Sequence, residues 1–404
     1  MQAGDEQVEF NIQAVDFLAR RTAVFGMTRT GKSNMVKKLV SVVKRTADQT
    51  GLKIGQIIYD LNGEYANANQ QDDGAIADIY PTQTERYRML PADGFKLIQN
   101  NFYTQIAEGH ALLREVLSDP APTSADLKGF LSVTFEQPED PNDRSASNRW
   151  RLKCAIYQAV LFKAGFRPPD RFRVSFSANA TVRQRVDPNN DFPPGNGGNL
   201  SLTPADATEW FSRARRADRE KDDNRQPMRL ASSTRGQNWL DEDCVLLLNL
   251  LEQKSGNDAY ITGFKHLVSY RDFHSADRTQ DVSEEIYQHL EAGKIVFLDL
   301  SVGDPSNRTR LSTVIARHIF SRSASAFNRG EYPPNIVIYV EEAHNIIGKK
   351  DALTATWPRI AKEGAKFRIA TVYATQEISS IHPNILANTE NMFVSHLNNE
   401  SEIR

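Results

Sequence analysis

Cysteine is scarce: Cys154 and Cys244 are the only two in 404 residues. They lie far apart and outside any CxxC spacing, which excludes a disulfide framework and a zinc knuckle and fits a reducing, cytoplasmic setting. Four of the histidines, His110, His266, His274 and His289, show no metal-ligand spacing. No apolar run reaches the roughly 18 residues that a membrane-spanning helix needs. Met1 to Asn11 is polar and acidic, without the apolar centre of a signal peptide. No internal repeat is visible. Net charge is also small, −2, which excludes a protein that coats nucleic acid with its whole surface and leaves room only for local basic contacts. What remains is ordinary globular composition, 40% apolar and 25% charged. The length suits one large α/β domain with an insertion, or two domains.

Continuous apolar runs mark the strands. Ala23 to Gly26 (AVFG) and Lys53 to Tyr59 (KIGQIIY) flank a stretch, Ser33 to Val43, whose Met35, Val36, Leu39, Val40 and Val43 recur at helical spacing. Strand, glycine-rich turn, helix and strand form a βαβ unit, and hence a parallel sheet. Lys294 to Leu300, Asn335 to Val340, Arg368 to Ala374 and Met392 to His396 read as further central strands, covered on both faces. Helical stretches, Leu311 to Phe327 and Ala352 to Gly364, separate them. The expected division is therefore a first core segment over 1–80, a mostly helical insertion over 81–290 and a second core segment over 291–404. Within the insertion, Trp150 to Ala164 is an amphipathic helix. Asp187 to Pro204, rich in Pro, Gly and Asn, reads as loop. Arg213 to Arg235 is dense in mixed charge, either a solvated helix or mobile loop or a nucleic-acid contact. Together 187–235 is expected to be flexible.

Four motifs carry chemistry. Gly26-Met-Thr28-Arg29-Thr30-Gly31-Lys32-Ser33, followed by Asn34, fits G-x-x-x-x-G-K-[ST] between a strand and a helix. Its glycines let backbone N–H groups converge on phosphate oxygens. Lys32 neutralises the β- and γ-phosphates, the Ser33 hydroxyl ligates Mg²⁺, and the helix N-terminus adds its positive end. Ile336 to His344 (IVIYVEEAH) is an apolar strand ending in acids, with Glu341 expected in the Mg²⁺ shell and Glu342 polarising the attacking water. Gln376 ends the third run (RIATVYATQ) and is either a γ-phosphate sensor or a solvated strand end. In YDLNGEY, Asp60 or Glu64 positions water or Mg²⁺, or the segment is a polar turn. Arg359, Lys362, Lys366 and Arg368 supply a finger to the γ-phosphate, in the same subunit or across an interface, or form a solvated face. His344 contacts a neighbouring loop or is satisfied by packing.

With AVFGMTRTGKSN, IIYDLNGEY, IVIYVEEAHN, RIAKEGAKFRIATVYATQ and HPNILANTENMF in that order, the sequence resembles the HerA-type ATPases, hexameric DNA translocases of the HerA/FtsK superfamily. The resemblance implies a RecA-like P-loop core built on a parallel central sheet, six copies in a ring, and ATP with Mg²⁺ held between copies. It also implies double-stranded DNA in the pore, and a nuclease or Sir2-like effector as partner, in bacterial anti-phage defence or DNA processing. Lys32, Ser33, Asp60, Glu342 and Gln376 carry over as ATP-site residues. The chain departs from the family in three places. Glu341 stands where Asp is common. Lys362, Ala365 and Lys366 stand where arginines are common, which leaves the finger open. The usual N-terminal β-barrel has no counterpart before Gly26, as expected of a fragment or shortened form. The expected function is a DNA-translocating ATPase working with an effector, and the alternative is a nucleotide-gated ring scaffold that activates a partner enzyme.

Overall fold

A computed structural model describes residues 20–397 except 28–29, 69–73, 119–121, 139, 141, 194, 197, 224, 227, 232–237, 303–304, 350–351 and 353, with backbone alone at 305–307. These residues divide into two compact units. One runs up to Ile98 and resumes at Val282; the other is Gln99–Asp281.

The first unit opens with β1 (Arg21–Phe25), α1 (Lys32–Thr50), β2 (Ile54–Asp60), a short α2 (Ile76–Ile79), β3 (Thr84–Arg88) and β4 (Lys96–Leu97). The second unit holds α3 (Ile106–Leu117), α4 (Ala125–Ser132), α5 (Arg144–Lys163), β5 (Val174–Ser177), α6 (Ala180–Val186), β6 (Asn199–Leu202), α7 (Pro204–Arg219) and α8 (Glu242–Glu252). The first unit then continues through α9 (Val282–Glu291), β7 (Ile295–Asp299), α10 (Pro305–Asn328), β8 (Asn335–Val340), α11 (Thr356–Glu363), β9 (Ile369–Thr375), α12 (Pro383–Ala387) and β10 (Asn391–Val394).

Eight strands of the first unit form one sheet in the order β10-β1-β9-β8-β2-β7-β3-β4, and every pairing is parallel. This is the α/β architecture with a parallel central sheet that the strand runs and the βαβ unit imply. All seven residues of β2 and all seven of β9 are buried, so their apolar runs are those of strands covered on both faces. The helix α1 lays Val36, Leu39, Val40, Val43 and Ala47 against the sheet. Val40 and Val43 are fully buried, each contributing about 1.5–3 kcal/mol. Gln56, a polar side chain in the middle of β2, is satisfied: it donates to Val40 O at 3.2 Å and accepts from Tyr339 OH at 2.7 Å. Because all strands are parallel, the ends of β1, β9, β8 and β2 fall on one edge, where loops and ligand sites collect. Strands β3 and β4 extend the sheet beyond residue 80, the point where the sequence places the start of the insertion.

The second unit centres on α5, whose Ile156, Tyr157, Ala159, Val160 and Leu161 are buried. It packs with α7 and α8, which bring Trp210, Phe211, Leu247 and Leu248. Strands β5 and β6 pair antiparallel. Their alternation turns Phe176 and Leu200 inward, and Phe176 packs 4.9 Å from Trp210 and 4.7 Å from Phe211 between ring centroids. Two elements thus stand inside the stretch expected to be flexible near 187–235: β6 and α7. Most charges there are exposed, among them Arg216, Glu220, Lys221, Asp222, Asp223 and Arg225, but a small group is internal. Arg215 and Asp218 are buried and paired at 3.2 Å, Arg229 reaches Asp218 at 2.7 Å, and Arg219 reaches Asp258 at 2.6 Å. A charge-dense run reads as solvated from composition, but one helix face can bury its ions when partners from other segments meet them.

Candidate functional site

The loop after β1 is held from three sides. Gly26 N donates to Thr375 O at 3.3 Å, Met27 N to His396 O at 3.1 Å, and Thr30 N to Met27 O at 3.3 Å. The Thr30 hydroxyl donates to Met27 O at 2.7 Å and lies 2.8 Å from Ser395 Oγ. A Cβ at Gly26 would come within 1.9 Å of Ser395 Oγ and 2.7 Å of Thr30 Oγ1, so a larger residue there would displace both hydroxyls. Gly31 caps α1 with φ 91°, left-handed, and makes no side-chain cap to the first amides. Those N–H groups, unpaired within the helix, remain for a ligand, and the helix dipole favours an anion there. Asn34 is exposed on the first turn. Thr28 and Arg29, expected to touch nucleotide, lie outside the described residues.

Behind this loop the strand ends deliver acids. Lys32 is buried, and its Nζ lies 2.5 Å from Glu342 Oε1. The Ser33 hydroxyl donates to Glu64 Oε2 at 2.6 Å. Glu341 is 3% exposed, and its Oε2 has no hydrogen-bond partner among the described residues. Burial, reinforced by Asp60, Glu64 and Glu342, pushes its carboxyl up to about 9 against the opposing pull of Lys32. Glu342 Oε2 is likewise without a hydrogen bond. Its backbone sits at φ 42° and ψ 50°, a left-handed conformation that costs a non-glycine residue about 1–3 kcal/mol. Two buried carboxylates, each with an idle oxygen, beside a lysine and a serine make a donor set short of positive charge. It fits Mg²⁺, a hard cation that takes oxygen ligands, and Ser33, Glu64 and Glu341 are the groups placed to hold it.

Asp60 has a different place. Its Oδ1 accepts from the amides of Gly63 and Glu64 at 2.7 and 3.0 Å, and its Oδ2 from those of Tyr65 and Ala66 at 2.9 and 3.1 Å. Burial raises its pKa while those amides lower it, and nearby Asp299 adds to the rise. The carboxylate is therefore spent on folding the turn 61–66, and it is Glu64, carried on that turn, that meets Ser33. Spacing alone left the two acids open, since the amides that occupy Asp60 cannot be read from residue types. The sequence reading also missed Ser395 and the backbone of His396, whose only signal was the apolar run of β10.

Gln376 follows β9 directly, half-buried, at the same edge as the loop. The four cations are not brought to this cradle. Arg368 precedes β9, a strand of seven residues, which puts it roughly 20 Å from the strand's far end. There it stacks on Tyr332 at 5.0 Å from the ring centroid. Lys366 lies over Phe327 at 5.1 Å, Arg359 over Phe320 at 5.0 Å and 3.7 Å from Glu363, and Lys362 is exposed. His344, on the turn after Glu342, places its Nδ1 3.0 Å from Thr375 Oγ1 and 3.4 Å from Glu342 Oε2.

Residues 2–151 match the family model described as the central domain of the helicase HerA. Among curated proteins no match is found. Among solved structures the chain is similar to a bacterial conjugative coupling protein, TrwBdeltaN70, at 11% identity over 96% of this chain and 72% of that one. The TM-score is 0.38, a likeness too distant to carry function. Among the described residues, no helix is long and apolar enough to cross a membrane.

Proposed function

We infer that this chain, whose residues 2–151 match the model of the HerA helicase central domain, is a P-loop ATPase that uses hydrolysis to move double-stranded DNA as a ring of copies. The observation that carries the ATPase reading is the meeting of Lys32 and Ser33 with Glu342, Glu64 and the idle oxygen of Glu341 at the mouth of the phosphate loop.

Each residue then has a task. The α1 amides and Lys32 bind and orient the phosphates, which draws the Lys32 ammonium away from Glu342. Ser33, Glu64 and Glu341 are the groups that would hold Mg²⁺, which when bound would neutralise charge on the phosphate oxygens. Glu342, released from Lys32, accepts the proton of the attacking water. Gln376 lies at the strand end where a polar group can reach that water. The cations Arg359, Lys362, Lys366 and Arg368 stand apart from this copy's cradle, so a finger drawn from them would act on a neighbouring copy. That arrangement favours a multimer, a hexamer by family resemblance. An effector such as a nuclease or Sir2-like protein, and a role in defence, rest on resemblance alone.

The test is steady-state ATPase activity of the full chain with Mg²⁺, with and without duplex DNA. DNA-stimulated turnover, lost in Lys32→Ala and Glu342→Gln, is the expected result. Turnover that ignores DNA would sink translocation. Equal phosphate release by wild type and Lys32→Ala would sink the ATPase itself. A Glu342→Gln ring that still activated its effector fully would favour a scaffold over a motor.

A further inference from the structure

We propose that His344 is a positioning residue: it takes over the Glu342 carboxylate when Lys32 leaves it, and ties that carboxylate to the end of β9. The proposal rests on the ATPase reading above. Glu342 has two oxygens in different situations. Oε1 is held by Lys32 at 2.5 Å, whereas Oε2 has no hydrogen bond, and His344 Nδ1 waits 3.4 Å away. When Lys32 turns to phosphate, the carboxylate loses its only strong partner. Its backbone, already left-handed at φ 42°, offers little freedom to find another. His344 is the side chain that stands beside the idle oxygen, and its Nδ1–H tautomer would donate to it.

The other contact of His344 gives the handover a reach. Thr375 is fully buried, and its hydroxyl lies 3.0 Å from His344 Nδ1 and accepts from Glu377 N at 3.0 Å. Its carbonyl holds Gly26 N. Gly348 and Ile381, on the segments after β8 and β9, are joined by an antiparallel bridge. One histidine therefore touches the residue that activates water, and also the strand end that supports both the phosphate loop and the segment beginning at Gln376. As Nδ1 moves toward Glu342 it releases Thr375, so occupancy of the cradle is reported to that segment.

The test compares Mg²⁺·ATP turnover and the affinity for a non-hydrolysable ATP analogue in wild type, His344→Ala, His344→Asn and Thr375→Val. Asparagine keeps an N–H where Nδ1 stands. His344→Ala is expected to lower kcat roughly 10- to 100-fold, as a misplaced base does. KM and analogue affinity should stay within about 3-fold, and His344→Asn should recover most of the loss. Where alanine does not fold, Thr375→Val carries the test, with a smaller fall in kcat at unchanged KM. The proposal is overturned if His344→Ala turns over like wild type, if asparagine rescues nothing, if binding weakens as much as kcat, or, in the fallback, if Thr375→Val is unaffected. A wild type no faster than Lys32→Ala would instead remove the ATPase reading, and this inference with it.

Discussion

Each unit buries a cluster of charge, and the two clusters are finished differently. In the second unit, Asp218 is 2% exposed and both of its oxygens are used. Oδ1 accepts from Leu230 N at 3.0 Å, and Oδ2 accepts from Arg215 and Arg229 at 3.2 and 2.7 Å. Burial, with Arg219 nearby, lowers the Arg215 guanidinium to about 10, and Arg215 spends a further donor on Asn249 Oδ1 at 2.8 Å. What is left over is guanidinium N–H, the Nε of Arg215 and of Arg219. In the first unit the leftovers are carboxylate oxygens, one each on Glu341 and Glu342, while Asp60 beside them is completed by four amides. An idle buried acceptor costs about 1–3 kcal/mol, and more when charged. Such a deficit on two adjacent acids marks a receptor for cations from solution, whereas a cluster whose carboxylate is completed is architecture.

The contrast can be broken at several points. The largest effect is expected at the receptor: Glu342→Gln should cut ATP turnover by at least about 100-fold while an ATP analogue still binds, and retained turnover would strip the acid of its role. Asp218→Ala leaves Arg215 and Arg229 facing a void, and should destabilise the second unit by about 3–5 kcal/mol in denaturant titration with analogue affinity unchanged. A mild loss would mean that the cluster is not architectural. A third effect depends on pH. The Glu341 carboxyl titrates near 9 when folded and near 4.5 when not. Between those values the folded state keeps a proton that the unfolded state has lost, so stability falls as pH rises from 4.5 toward 9. Glu341→Gln lacks this loss. Without metal or nucleotide it should melt above wild type at pH 8, with the gap narrowing at pH 5, and a gap independent of pH would contradict the assignment. The smallest effect belongs to Arg368→Ala. Stability should shift by no more than about 0.5 kcal/mol, and analogue affinity should hold; weakened affinity would bring that end of the sheet into the cradle.

Much of the core was legible because both faces of its strands are covered. Asn335–Val340 is the strand the apolar run predicts, and β2, β7 and β9 differ from their runs by a residue or so. What escaped was structure whose pattern is set by partners. In β3, TERYR, only Tyr87 is buried, so no apolar run announces a strand that pairs with β7. In β5 and β6, period-two alternation was hidden by the surrounding turn residues. The phosphate loop was plain from its glycines and Lys32, because backbone chemistry dictates that spacing. The contact of Ser33 with Glu64 was not, because it depends on which carboxylate the turn's amides consume.

The closure of β10 over Gly26 has a consequence in time. The floor of the cradle is made by Ser395, whose hydroxyl donates to Phe25 O at 3.1 Å across 370 positions of sequence. Arg21 and Glu390 pair at 2.8 Å across a similar gap. At about 5–20 residues per second, a ribosome that has just released β1 needs roughly 20–70 s before it delivers the strand that completes the pocket. The phosphate loop is thus translated well before it acquires its shape, and a nascent chain that has not reached β10 has no finished pocket with which to spend ATP.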